Sequence, residues 1–519
     1  MTKLEIFLLF IIIVTQWALS YYTHYPLYGF DDANITQAYA QNIVNGHGYV
    51  YNIGGERVEG STSILWTFVN VIAFLTTSPI EFLQLISVLV VVCIMVVSTL
   101  IIKEITNSTY ATQINLISFN FFPFFFGWGL FSLMDTNLFI LLIVLAVYTI
   151  ICPPTSKSFK TMFLVLFILP LARPEGVLVS IGVLLVWVLF YSDRYKRVSL
   201  GPALLVCIIS SLLLITVIRL YYFGYPFPNT YYAKTSNDQV GQIIQGLYYL
   251  KTTVMMPQIF TMLILFGLSS VFFISSKNTA IRNYIFSVSL IILGAVITYV
   301  YLGGDHFKGG RFFQFVIPLI LPVVSVFVVE TLSEALNRKS KFKFIISAPI
   351  GIVIMVIIFG QYFVSGGGFR HEFRIAENGR EQSMYINQLF GDSMSLGLTA
   401  AGGTRMGYDG IIYDVLGLNW VEMAHSEKST NTSLLKNHGG FDGGVFLKKK
   451  LDIFAPEMKS CSEILKLGFF DKFRQEITLG VTLTEEFKSI YDVYCDDRIT
   501  FFGLKKHHHL FLSLNFKTV

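Results

Sequence analysis

Long apolar runs separated by short charged turns fill the first two thirds of the chain. Stretches of roughly the length that crosses a 30 Å hydrocarbon core recur near residues 4–20, 82–102, 111–131, 136–152, 159–172, 176–192, 199–222, 257–275, 284–302, 312–332 and 344–364. The run Ser61–Thr77 is shorter and carries Ser61, Thr62, Ser63, Thr67 and Asn70. If it lies along the interface instead of crossing, the loop charges alternate consistently. Lys103, Lys157, Lys160, Arg194, Lys196, Arg197, Lys277, Arg282, Arg338, Lys339, Lys341 and Lys343 then share one side. The other side holds Arg57, Arg173, Lys234, Lys251, Lys308 and Arg311. The richer side is cytoplasmic by the positive-inside rule, so the pattern predicts about eleven transmembrane helices with a cytoplasmic N-terminus and an outer C-terminus.

From Gly366 onward the character changes. Gly366-Gly367-Gly368 reads as a hinge, and the residues after it are mixed polar and apolar. Alternation predicts strands at Ile411–Val415 and Ile477–Leu483, and helical spacing covers Arg374–Phe390 and Cys461–Phe469. The expectation is a mainly α, polytopic membrane domain over 1–365, with its first outer loop at 21–81, and a C-terminal extracytoplasmic α/β domain over 366–519.

Composition agrees with the threading. Hydrophobic residues make up 54% of the 519 and charged residues only 14%, with mean hydropathy +0.62; soluble domains carry about 25% charge. The net charge of +5 is scattered between apolar runs, not gathered on one face, so no nucleic-acid partner is expected. The first apolar segment follows Met1-Thr2-Lys3; bulky Tyr21 and Tyr22 after Ala18-Leu19-Ser20 suit an uncleaved span better than a signal peptide. Cys93, Cys152 and Cys207 fall in or beside apolar runs, whereas Cys461 and Cys495 share the outer tail. Oxidising surroundings permit those two to join, but spacing alone leaves that open.

Ionisable groups beside apolar runs need a reason, because burying them costs several kcal/mol. Those on the outer side are Asp31, Asp32, His47, Glu56, Arg57, Glu59, Asp135, Arg173, Glu175, Lys234, Asp305, His306, Lys308 and Arg311. Asp32 is a reasonable N-cap for a helix over 33–45, leaving Asp31 for other work, or the reverse. A desolvated carboxylate is a better proton acceptor, which suits a general base. Gly46–Gly60 is Gly-rich but lacks the Gly-Lys-Ser/Thr ending of a nucleotide phosphate loop. Arg173 can pair with an acidic neighbour or with substrate. Arg311, after the Gly303–Gly310 turn, suits a phosphate, or simply lipid headgroups. No metal-binding spacing appears; Asp31, Asp32 and Asp305 offer oxygen ligands for a divalent cation, a reading not favoured.

Asp31-Asp32-Ala33-Asn34-Ile35-Thr36, Asn45-Gly46-His47-Gly48, Gly54-Gly55-Glu56-Arg57-Val58-Glu59-Gly60-Ser61-Thr62-Ser63 and Trp66 together resemble the first outer loop of GT-C membrane glycosyltransferases, and most resemble the mycobacterial terminal β-(1→2)-arabinofuranosyltransferase family. Further similar segments follow in the family's order. They are Ser132–Thr136, Ala172–Gly176, Pro228–Lys234, Gly303–Asp305 with Gly310–Phe312, and Tyr413–Asn419. Asp135 stands where relatives usually carry Glu. The resemblance implies interfacial helices in the first outer loop, a polyprenyl-phosphate sugar donor, and transfer at the outer face of the cell (inner) membrane to a glycan or other hydroxyl acceptor. The implied sugar is a pentofuranose such as arabinose, and no nucleotide is needed. Asp31 or Asp32 then carries catalysis, with inversion as the outcome of a single displacement; Arg311, Arg173, Lys308 and Lys234 bind the donor phosphate; His47, Glu56, Arg57, Glu59, Asp135, Glu175, Asn229 and Asp305 contact sugar. A lipid-linked sugar flippase is the competing class, and it would show internal repeats with charges at mid-membrane depth.

Overall fold

The computed structural model describes residues 1–24, 28–192, 200–234, 238–337, 369–427, 440–467 and 472–519. The span expected at 344–364 and the Gly366–Gly368 hinge lie outside the described residues. The chain forms two compact units, each assembled from three separate segments. One comprises Met1–Pro26, Glu81–Ile215 and Gly246–Arg370; the other comprises Leu27–Ile80, Thr216–Gln245 and His371–Val519. The tail thus shares its unit with Leu27–Ile80, most of the segment expected as the first outer loop.

Among the described residues six helices are long and apolar enough to cross a membrane: Lys3–Tyr22, Pro79–Ile105, Leu200–Tyr222, Pro257–Ile274, Thr279–Tyr301 and Val316–Ser333. Side chains such as Val206, Leu213, Val217, Ile264, Val271 and Ile297 point outward and are exposed, as lipid contact requires. This is a membrane protein. Thr136–Ile151, Ser156–Ala172 and Gly176–Phe190 are shorter. The expected single span at 111–131 is corrected: helix Thr109–Ser118 runs into a 3-10 turn at Phe119–Phe121, and a second helix starts at Pro123. Pro123 has no N–H for the ladder and pushes Phe122 out of helical geometry, to φ −123° and ψ 73°.

In the other unit, Ser61–Thr77 forms a helix only over Ile64–Phe74. Eleven residues give about 16 Å of helix at 1.5 Å per residue, half the thickness of a bilayer core. Its start is fixed by Ser63, whose Oγ accepts the Trp66 N–H at 3.1 Å.

The tail contributes a six-stranded sheet: β1 Leu396–Leu398, β2 Ile412–Asp414, β3 Ile453–Glu457, β4 Tyr491–Cys495, β5 Thr500–Leu504 and β6 Lys517–Thr518, in the order β2-β1-β3-β5-β4-β6. β1 is parallel to β2 and β3, and the remaining pairs are antiparallel. Alternate residues feed two apolar cores. Ile453, Tyr494 and Phe501 join one with Ile35, Tyr39, Tyr51 and Val58 of the first loop; Phe454, Tyr491 and Phe502 join the other with Trp420, Phe446 and Phe487. The expected strand Ile477–Leu483 is corrected. Helix Lys472–Ile477 ends there, Gly480 turns left-handed at φ 67°, and Val481–Leu483 is a 3-10 turn. Ile477 and Val481 are both buried while Leu479 and Leu483 are exposed, a helical four-residue spacing that alternation imitates. The predicted helices are present at 369–390 and at Cys461–Leu467. A disulfide joins Cys461 to Cys495 across a Cα separation of 5.3 Å.

Candidate functional site

The helix Asp31–Val44 opens with both aspartates inside its first turn. Phe30 occupies the cap position without a side-chain cap, so Asp32 does not cap the helix as its sequence position suggests. The Asp31 carboxylate is held across the unit: Oδ2 accepts the Gly402 N–H at 3.0 Å and Oδ1 accepts the Gly403 N–H at 2.8 Å. Glycine is required at both positions. A Cβ on Gly402 would run into the Asp31 carbonyl oxygen, and one on Gly403 into that of Ala376. Burial pushes the Asp31 carboxyl up to about 6; the two amides oppose that shift and the charge of Asp32 adds to it. Asp32 itself is partly buried.

A second buried carboxylate lies within electrostatic reach. Asp414, at the end of β2, accepts from Leu416 N at 3.0 Å, Asn419 N at 3.2 Å and Asn419 Nδ2 at 3.1 Å. Burial also pushes it up to about 6, against those hydrogen bonds and with the negative charge of Asp31 contributing. Around this pair the first loop is tied to the tail residue by residue. Tyr51 Oη donates to the Ala401 carbonyl at 2.6 Å. Asn52 pairs with the Ile412 backbone in both directions, at 2.9 and 3.0 Å, and its Oδ1 also accepts from Arg405 Nη1 at 3.2 Å. Tyr39 Oη reaches the Val58 carbonyl and Asn419 Oδ1, and accepts the Gly60 N–H at 2.9 Å.

The remaining first-loop candidates fall into two groups. Glu59 is buried and paired with Arg219, whereas His47, Glu56 and Arg57 are exposed. Glu56 accepts the Val421 N–H at 2.9 Å, and the Arg57 guanidinium sits 4.8 Å over the Tyr222 ring. Asn229 donates to the Gly417 and Leu418 carbonyls at 2.7 and 3.1 Å. Lys234 is partly buried at the end of the short helix Asn229–Lys234.

The other unit gathers the rest. Arg173 Nε lies 2.8 Å from Glu175 and its Nη1 3.5 Å from Asp135, so the acidic-neighbour pairing is present. Arg311 Nε pairs with Asp305 Oδ2 at 2.7 Å. The two guanidinium carbons lie 5.0 and 4.8 Å from the Phe312 ring, one from each arginine. Lys308 is exposed. The Gly-rich turn is needed for this packing: Gly304 and Gly309 are left-handed, and a Cβ there would strike the Tyr249 and Phe124 rings. Among the described residues no cluster of three or more His, Cys, Asp or Glu is placed to hold a metal ion.

Sequence reasoning passed over Arg219, Arg380 and Arg405. A lone Arg near the end of the apolar run 199–222 is the signal that would have found the first. Asp414 falls inside the segment Tyr413–Asn419, where its sequence position alone gives it no role.

No family model matches the chain, and no curated protein matches it. Solved structures do. ArnT from Cupriavidus metallidurans, bound to undecaprenyl phosphate, aligns with a TM-score of 0.54 at 12% identity, over 97% of this chain and 98% of that one. Its apo state gives a TM-score of 0.54 at 11% identity, over 96% and 98%. The oligosaccharyltransferase from Archaeoglobus fulgidus, in a complex with Zn and sulfate, gives 0.49 at 10% identity over 77% and 62%. The two ArnT structures show the fold: this chain shares the fold of ArnT over 96–97% of its length.

Proposed function

We propose that the protein is a glycosyltransferase that moves a sugar from a polyprenyl-phosphate donor to a hydroxyl of a glycan or other acceptor at the outer face of the cell membrane. The observation that carries this reading is the Asp31 carboxylate, seated by the Gly402 and Gly403 amides and raised to about 6 by burial. A carboxylate so placed is ionised at neutral pH yet basic enough to take a proton. The shared fold supports the reading, since ArnT of that fold was solved with undecaprenyl phosphate.

In this mechanism Asp31 accepts the proton of the acceptor hydroxyl as its oxygen attacks the anomeric carbon. The bond from that carbon to the phosphate oxygen breaks, and its electron pair leaves with the polyprenyl phosphate. One displacement inverts the anomeric centre. His47, Glu56, Arg57 and Asn229 contact sugar hydroxyls. Glu59 acts indirectly, because Arg219 occupies both its oxygens. Lys234 is proposed to bind the donor phosphate within this unit; in the other unit Arg173, Arg311 and Lys308 are by themselves proposed phosphate-binding groups, with Asp135, Glu175 and Asp305 as resident counter-ions. The first-loop resemblance supports a pentofuranose, such as arabinose, as the sugar. The tail, on this proposal, is the extracytoplasmic part of the protein, over 366–519.

Incubation of the purified protein with labelled polyprenyl-phosphate sugar and candidate acceptors tests the reading. Acceptor-dependent release of polyprenyl phosphate is expected. Movement of intact donor across vesicles without bond cleavage would replace the enzyme with a flippase.

A further inference from the structure

Arg380 follows Gly379 on the 369–390 helix, at the point where Gly379 packs against the Thr404 backbone; a Cβ there would lie 3.0 Å from Thr404 N. Its guanidinium is gripped along one edge. Nε and Nη2 donate to Asn34 Oδ1 at 3.1 and 2.8 Å, and Nη2 also reaches Gln37 Oε1 at 3.3 Å. Both carboxamides are fully buried and fixed from behind. Asn34 Nδ2 donates to the Tyr28 and Phe30 carbonyls at 3.0 and 2.7 Å, and Gln37 Nε2 to that of Tyr28 at 3.3 Å. The Tyr28 ring centre is 4.0 Å from the guanidinium carbon. Each of these partners is neutral.

Arg380 is half-buried, and an arginine partly withdrawn from water is commonly paired with a carboxylate. Arg380 is not, among the described residues, and both Nη1 hydrogens lack an acceptor there. Burial brings its pKa down to about 10, against a small opposing influence of Tyr28, so the charge persists at neutral pH. The result is a rigid cation with one free edge. Asn34 lies one helical turn from Asp31, a spacing of about 5–6 Å between Cβ atoms.

We propose that the free Nη1 edge of Arg380 binds the phosphate of the polyprenyl-phosphate donor, within the unit that carries Asp31. The assignment rests on the glycosyltransferase reading and adds to it a leaving-group ligand. As the glycosidic carbon–oxygen bond breaks, the phosphate goes from one negative charge to two. A guanidinium already fixed by Asn34 and Gln37 meets that added charge without reorganising. Its planar fork suits two phosphate oxygens.

The test uses the full chain in lipid nanodiscs, with undecaprenyl phosphate and inorganic phosphate as separate probes, alongside transfer kinetics. Arg380→Gln should weaken undecaprenyl phosphate binding about tenfold or more and lower kcat, and Arg380→Lys should recover part of both. Gln37→Glu supplies an internal counter-ion while leaving Arg380 in place, and it should weaken binding in the same direction even if Arg380→Gln does not fold. A purely structural arginine predicts a lower Tm with lipid binding unchanged, which would overturn the assignment. Loss of inorganic phosphate binding with undecaprenyl phosphate binding intact would also overturn it, by making this a free-phosphate site. Wild-type protein that neither binds the lipid nor transfers sugar defeats the glycosyltransferase reading itself; wild-type binding that both variants retain defeats Arg380 alone.

Discussion

Glu59 and Arg219 meet as a two-pronged ion pair, Nε to Oε2 at 2.8 Å and Nη2 to Oε1 at 2.9 Å, between residues 160 apart in sequence. Both are almost wholly buried. Removing one partner leaves the other charged and dehydrated, a loss of about 3–5 kcal/mol. Glu59→Gln or Arg219→Met should therefore lower Tm markedly, while the double variant Glu59→Met/Arg219→Met should lose less than either. Thermal unfolding of the three purified variants checks this, and equal losses in all of them would contradict the pairing.

Asp31 and Asp32 should separate on substitution. Asp31→Asn is expected to reduce transfer by at least about a hundredfold with donor binding retained, as for loss of a general base. Asp32→Asn should keep most activity and shift the acid limb downward, because it removes a charge that helps raise Asp31. With the Asp31 carboxyl near 6, protonation would disable the proposed base below that pH. In wild type kcat/KM should fall as pH drops through about 6, measured at saturating acceptor.

The Cys461–Cys495 bond closes a loop over a separation of 34 residues. Chain-entropy arguments give it about 3–4 kcal/mol of stabilisation. Cys495→Ser should lower the unfolding temperature, and reduction of wild-type protein should expose two alkylatable thiols seen by mass spectrometry. Free alkylation under native, non-reducing conditions would refute the bond.

Asp452 should give the tail its own acid sensitivity. Burial alone would raise its carboxyl, but donation from Ser395 N at 3.0 Å, Ser395 Oγ at 2.7 Å, His507 and Lys506 outweighs burial and brings it down to about 2. A carboxyl lowered on folding contributes stability above its unfolded value near 4, and loses it as pH falls toward 2. Asp452→Asn should destabilise the protein at neutral pH and flatten the decline between about pH 4 and 2. Parallel melting curves for wild type and variant over that range would rule the linkage out.

The long membrane helices were legible because hydropathy is a local pattern. Hydropathy marks Pro79–Ile105 and Leu200–Tyr222 directly, and the polar residues of Ser61–Thr77 betray a helix too short to cross. Three things were hidden for physical reasons. Pro123 broke an apolar run whose hydropathy is continuous, since hydropathy carries no backbone geometry. Gly480 converted an alternating segment into a turn. The seats of Asp31 and Arg380 depend on pairings across more than three hundred residues, to Gly402 and from Asn34, that no local window contains.

That last distance sets a schedule for synthesis. Asp31 leaves the ribosome 371 residues ahead of Gly402. At about 5–20 residues per second the interval is roughly 20 to 70 seconds. Throughout it the aspartate lacks its seat, because the amides that hold it have not been made. The seat of Asp31 is therefore a product of the last quarter of translation, and a nascent chain stopped before that point carries Asp31 without the two amides that hold it.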